Sequence, residues 1–218
     1  MANNDESQKK LNKVNNVYFK AITTQIRKAE KEGKVTNVLS IRDLRNLNQT
    51  FRRNLYMAEN IQSVNNLYFK ALTTQIQKAE NEGKKITDVL SISNLRYLNE
   101  TFSSDSNMAE TIQSVNNAYF KVITTQIQKT ENEGKKITDV LSAYDLKYLN
   151  SLYKQENKPE SLNALNITYL TTLLAQNIED ICDEDDLEIL NLVFQRSQDQ
   201  QIQDLLRQIN AKMESAQG

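Results

Sequence analysis

Residues able to do chemistry are few in this 218-residue chain, and histidine is missing altogether. Without imidazole the commonest general base and metal ligand is gone. Cys182 is the only cysteine, so no activated Cys–His pair and no Cys/His zinc spacing can form. The recurring Glu-Gly-Lys at 32–34, 82–84 and 133–135 lacks the G-x-x-x-x-G-K-[ST] pattern that cradles phosphate. The acidic run Asp183, Glu184, Asp185 and Asp186 looks like part of a calcium loop, but it has no glycine at the turn and no correctly spaced bidentate Glu. Such a run more often complements the positive end of a helix. The expectation is therefore no catalytic residue, no cofactor, no metal and no enzyme activity.

The polar residues that recur are more informative. Val-Asn-Asn, Tyr-Phe-Lys, Thr-Thr-Gln-Ile and Glu-Gly-Lys each appear three times. On helical geometry the first Asn and the Gln of these motifs fall about 40° either side of the middle of an apolar stripe. These are Asn15 and Gln25, Asn65 and Gln75, and Asn116 and Gln126. Buried amides must find partners, so they are expected to form ladders between copies. The competing reading is a groove that grips a repeated ligand. The aromatic-lysine motifs invite stacking on bases, but Tyr68 lies on the apolar stripe, which points to core packing instead.

The element that must position these residues is a tandem repeat. Residues 63–102 match 114–153, moved on by 51 positions, at 29 of 40 sites. Residues 13–51 are a first copy, one residue shorter near Gly33, and 166–194 an eroded fourth that keeps Leu170-Thr171-Thr172 and the frame D-L-x-x-L-N. Each copy is expected to be a helical hairpin. In the second, Ile61, Val64, Tyr68, Leu72, Ile76 and Ala79 make one helical stripe. That helix is predicted from Met57 to Glu82, with Gly83 taking a left-handed end. Residues 86–90 alternate and are expected to be a loop or part-turn. Ser40-x-x-Asp43, Ser91-x-x-Asn94, Ser142-x-x-Asp145 and Asp183-x-x-Asp186 signal the start of each second helix.

The organisation expected is a polar segment (1–12), repeat 1 (13–62), repeat 2 (63–113), repeat 3 (114–160), a degenerate repeat 4 (161–198), and a C-terminal helix and tail (199–218). Ile202, Leu205, Leu206, Ile209 and Met213 suit a closing helix there. Residues 103–107 and 154–160 are the expected flexible connections. The fold class is all-α: tandem helical-hairpin repeats with a capping helix, solenoid-like or an extended bundle.

Charge runs along the chain. Residues 1–55 carry 12 Lys/Arg against 5 Asp/Glu, whereas residues 150–218 carry 5 against 12. A basic patch of Lys9, Lys10, Lys13, Arg42, Arg45, Arg52 and Arg53 faces an acidic patch at Asp183–Asp186 from the opposite end of the sequence. The expected function is a structural or scaffold protein making multivalent protein–protein contacts, with head-to-tail self-association as one form. The alternative is nucleic-acid binding through the basic first repeat. No membrane span is expected. A lone cysteine and no apolar leader at Met1–Lys10 indicate a cytoplasmic location, so Asn48, Asn99 and Asn166, which head Asn-x-Thr triplets, are not expected to carry glycans.

Overall fold

The computed structural model describes residues 2–51, 54–102, 106–153, 157–176 and 182–216. Among these residues there are eleven α-helices and no strand. None of the helices is long and apolar enough to cross a membrane.

Four long first helices carry the Val-Asn-Asn-type stripe. They are α1 (Ala2–Glu32), α4 (Ala58–Asn81), α7 (Ala109–Glu133) and α9 (Glu160–Ala175). Each of the first three ends in a glycine with φ between 64° and 68°, at Gly33, Gly83 and Gly134. The amide after each glycine then folds back, as Lys34, Lys84 and Lys135 donate to the carbonyls of Ala29, Ala79 and Thr130 at 3.0–3.1 Å. A β-carbon is strained at that φ, so the glycine makes a sharp stop possible. Helix α1 includes residues 2–12 of the polar segment.

The segment after each glycine, expected to be a loop or part-turn, is a single helical turn. It forms α2 (Val35–Val38), α5 (Ile86–Val89) and the 3₁₀ turn Ile137–Asp139. Ile86 and Leu90 sit four apart, and Leu90 donates to the Ile86 carbonyl at 2.9 Å. Both are then buried on one side of a single turn.

Second helices follow at α3 (Ile41–Phe51), α6 (Ile92–Phe102), α8 (Ala143–Ser151) and α10 (Glu184–Phe194). All four expected caps form. The Asp43, Asn94, Asp145 and Asp186 amides donate to the Ser40, Ser91, Ser142 and Asp183 side chains at 2.8–3.2 Å. Only Ser142 completes a reciprocal capping box. Helix α11 (Gln200–Ala216) ends the described chain. The connections expected at 103–107 and 154–160 lie partly outside the described residues.

The chain divides into two compact units: residues 1–84 with 97–115, and residues 85–96 with 116–218. In the first unit, α1 packs on α4, α2 wedges against both, and α3 lies on α4. Its core holds Phe19, Ile26, Leu44, Tyr68, Phe69 and Leu72, with edge-to-face rings at Phe19–Phe51 (5.1 Å) and Phe69–Phe102 (5.2 Å). In the second unit, α8 packs on α10, and α9 and α10 both receive α11. Tyr119, Phe120, Leu146, Tyr169 and Phe194 are its large buried side chains.

Candidate functional site

The buried amides form a set of matching bonds. In the first unit Asn65 and Asn48 exchange a reciprocal pair at 2.8 and 2.9 Å, and Asn48 spends its other hydrogen on the Leu44 carbonyl of its own helix. In the second unit Asn166 and Asn150 do the same at 2.9 Å each way, with Asn150 donating to Leu146. Asn191 and Asn210 form a third pair at 2.9 and 3.1 Å, each also donating to a carbonyl four residues back. A side-chain amide offers two N–H donors and an acceptor oxygen, and Asn48, Asn150, Asn191 and Asn210 use both donors and the oxygen.

The glutamines do a different job. The Gln75 Oε1 accepts from the Val35 amide at 2.9 Å, Gln126 from Ile86 at 3.2 Å, and Gln176 from Ile137 at 3.1 Å. Each donating amide is the first of its short helical turn, where no intrahelical acceptor exists. The glutamine oxygen supplies a cap, buried at Gln75 and partly buried at Gln126 and Gln176, in place of the side-chain caps those turns lack.

Both asparagines of Val-Asn-Asn thus acquire reasons. The second one faces the other way: Asn16 Oδ1 accepts from Asn60 at 3.0 Å, and Asn117 Oδ1 from Ser161 at 2.6 Å, both across 44 residues. Lys78 reaches the Glu32 carbonyl at 3.2 Å, and Lys70 pairs with Glu30 at 3.2 Å. Those contacts are side-chain closures on helix ends and faces, not a reactive constellation.

Of the sequence candidates, Asn65, Gln75 and Asn116 are buried and Gln126 is half-buried. Asn15 and Gln25 depart from the expectation: Asn15 is half-buried and Gln25 exposed, whereas Asn65 and Gln75 of α4 are bonded to Asn48 of α3 and the Val35 amide of α2. Sequence reasoning missed the partners Asn48, Asn150 and Asn191. They end the D-L-x-x-L-N frame, so that frame held the signal. It also missed Asn166 and Gln176. The match on Leu170-Thr171-Thr172 set the fourth copy three residues out of register; the bonds align Asn166 with Asn65 and Gln176 with Gln75. Asn210 was missed as well, although Leu206, Ile209, Asn210 and Met213 repeat the spacing of Ile61, Val64, Asn65 and Tyr68.

Tyr68, Tyr119 and Tyr169 lie in the core, as the aromatic-lysine motifs suggested for the first two, but Tyr18 of the first such motif is 49% exposed. Burial pushes their hydroxyls well above the usual tyrosine range, with Asp43, Asp145 and Asp186 respectively adding to it. The Tyr68 and Tyr119 hydroxyls have no hydrogen-bond partner among the described residues. Cys182 is buried, and its thiol is pushed up to about 12 by that burial and by Asp186 and Asp183. A thiol that stays protonated is a poor nucleophile.

The described members of the basic patch lie on two helices. Lys9, Lys10 and Lys13 are in α1, with Lys10 paired to Glu6 at 2.9 Å. Arg42 and Arg45 open α3, whose far end meets α1 through Phe51 and Phe19. Arg45 stacks over Tyr97, 5.3 Å from the ring centroid. Arg52 and Arg53 lie outside the described residues. In the acidic patch, Asp183 caps α10, and Glu184, Asp185 and Asp186 occupy its first turn. Burial, then Asp183, raises the Asp186 carboxyl. Among the described residues no three candidate ligands converge as a metal site would require.

One open groove of about 590 Å³ in the first unit is lined by polar side chains, among them Gln62, Asn66, Lys70, Thr73 and Glu110. Thr73 and Thr74 donate to the carbonyls of Phe69 and Lys70 on their own helix, so these hydroxyls are not poised as nucleophiles. Comparison with protein-family models, curated proteins and solved structures finds no match in any of the three.

Proposed function

We propose that the chain is a non-enzymatic scaffold of tandem helical hairpins, solenoid-like in construction, that binds protein partners multivalently. The observation that carries the reading is recurrence of reciprocal, wholly or partly buried asparagine bonds at Asn48–Asn65, Asn150–Asn166 and Asn191–Asn210. The opposite stripe of each first helix is more open: Lys20, Lys70 and Lys121 are exposed there, although Asn16, Asn117 and Lys70 also bond to a neighbouring helix. That stripe is itself repeated: Asn16, Lys20 and Thr23; Asn66, Lys70 and Thr73; Asn117, Lys121 and Thr124. A surface presented several times gains avidity from a partner with several matching sites. A buried thiol held protonated and the absence of histidine weigh for binding over catalysis. A single cysteine fits a reducing compartment, and the reading takes the protein as cytoplasmic.

Nucleic-acid binding has less support. Its basic residues fall into two groups, and Arg45 is engaged with Tyr97.

The test is affinity capture with the tagged full chain, in parallel with Lys20→Glu, Lys70→Glu and Lys121→Glu singly and together. A partner retained by the wild-type chain should be lost stepwise as substitutions accumulate. Retention unchanged by all three together contradicts the reading, as does a partner removed by nuclease.

A further inference from the structure

Helix α1 leaves open the face that its counterparts bury. Leu11, Val14, Val17 and Tyr18 are 52%, 65%, 70% and 49% exposed. At the equivalent positions of α4, Ile61, Val64 and Tyr68 are 8%, 0% and 0% exposed, covered with the help of α2 and α3. A cluster of four large apolar side chains on one polar helix is a docking surface by its exposure. What fits it is set by the residues beside it: Asn15 stands at the Asn65 position, ready for an Asn on a second-helix element.

Helix α11 shows where such a face goes. Its Leu206, Ile209, Asn210 and Met213 have the same i, i+3, i+4, i+7 spacing as Leu11, Val14, Asn15 and Tyr18. Leu206, Ile209 and Met213 are buried against α9 and α10, and Asn210 is paired with Asn191. Lys212 further ties α11 down, donating to the carbonyls of Leu174 and Gln176 at 3.0 and 3.1 Å. So α11 occupies on α9 and α10 the place that a first helix takes on the preceding copy.

We infer that α1 and α11 are rival occupants of one site. Helix α11 fills the α9–α10 surface from within the chain, and α1 of a second copy takes it when α11 leaves. The contact is head-to-tail and pairs Asn15 of the second copy with Asn191 of the first. Charge favours this occupant over a symmetric α1–α1 pairing. Residues 1–55 carry a net +7 and would repel their like, whereas residues 150–218 carry −7. Helix α11 is tethered and so has a high effective concentration; it acts as a brake on growth of the assembly. Heterologous contacts of this kind extend into rings or filaments once released.

This inference rests on the scaffold reading above, but its test involves no other protein, so the two fail separately. Sedimentation velocity of the full chain is compared with Ile209→Asp and with Val14→Asp/Ile209→Asp, helix content being checked by circular dichroism. Ile209→Asp should release α11 and strengthen self-association about tenfold or more, as the competent state becomes populated. Adding Val14→Asp, on an exposed position, should return the protein to monomer. A helical Ile209→Asp chain that stays monomeric overturns the inference, and so does association indifferent to Val14→Asp. Should Ile209→Asp lose its helices, Asn210→Ala, which removes one side chain of the pair, takes its place. In either background a photo-crosslinker at position 17 should join a second copy within residues 187–194. Crosslinks confined to another surface overturn the inference.

Discussion

Helices α1 and α4 carry the same stripe and meet different surroundings. Val14 and Tyr18 are largely open, whereas Val64 and Tyr68 are closed to solvent by elements that follow α1 in the chain. Asn15 is half-buried, whereas Asn65 is 2% exposed and doubly bonded to Asn48. Identical residue types at identical spacing therefore do structural work in one helix and surface work in the other. Periodicity fixes which residues share a face; only the neighbours decide whether that face is core.

The largest break in this comparison comes from charge. Val64→Asp places a carboxylate where no water reaches and should cost roughly 4 kcal/mol or more, enough to unfold its unit. Val14→Asp should change stability by less than about 0.5 kcal/mol. Urea unfolding followed by circular dichroism measures both, and similar losses would erase the distinction.

The amides come next. Asn65→Ala leaves Asn48 unpaired in a half-buried place and should cost about 1–3 kcal/mol. Asn48→Ala should cost a similar amount, and the double variant less than the sum, since both remove one interaction. Strict additivity in that cycle would show that the pair is incidental.

A smaller effect sharpens the comparison through pH. The folded chain holds Tyr68, Tyr119 and Tyr169 protonated above the usual range because they are buried, while the unfolded chain releases those protons near pH 10. The folded state then binds more protons than the unfolded one. Stability is full below about pH 10 and falls as pH rises beyond it. Tyr68→Phe removes a hydroxyl without a partner among the described residues. It should leave stability at pH 8 within about 1 kcal/mol and make the alkaline loss shallower. An unchanged slope between pH 9 and 11 would contradict the assignment.

Smallest of all, Arg45→Ala takes away a cation over the Tyr97 ring at a partly exposed site. A loss of about 0.5–1 kcal/mol is expected.

Much of this was readable in the chain. The glycine stops, the second-helix caps and the burial of Asn65, Gln75 and Asn116 follow from local rules that need only a few neighbouring residues. The partners were harder. Asn48 and Asn65 lie 17 residues apart on different helices, and nothing local to either names the other. The short turn at Ile86–Val89 was hidden because its apolar residues satisfy a strand period as well as a helical one. The kinship of α11 with the first helices was masked by Met213 standing where Tyr68, Tyr119 and Tyr169 stand elsewhere.

The central claim is that the Asn–Gln pair locks a first helix to its neighbours in α4 but not in α1. Its most direct test compares the urea midpoints of Asn15→Ala/Gln25→Ala and Asn65→Ala/Gln75→Ala in the full chain. The second variant should lose about 2–5 kcal/mol, from two buried bonds with partners left unsatisfied, and the first should stay within about 0.5 kcal/mol of wild type. Equal losses in the two variants, or no loss in either, would contradict the claim.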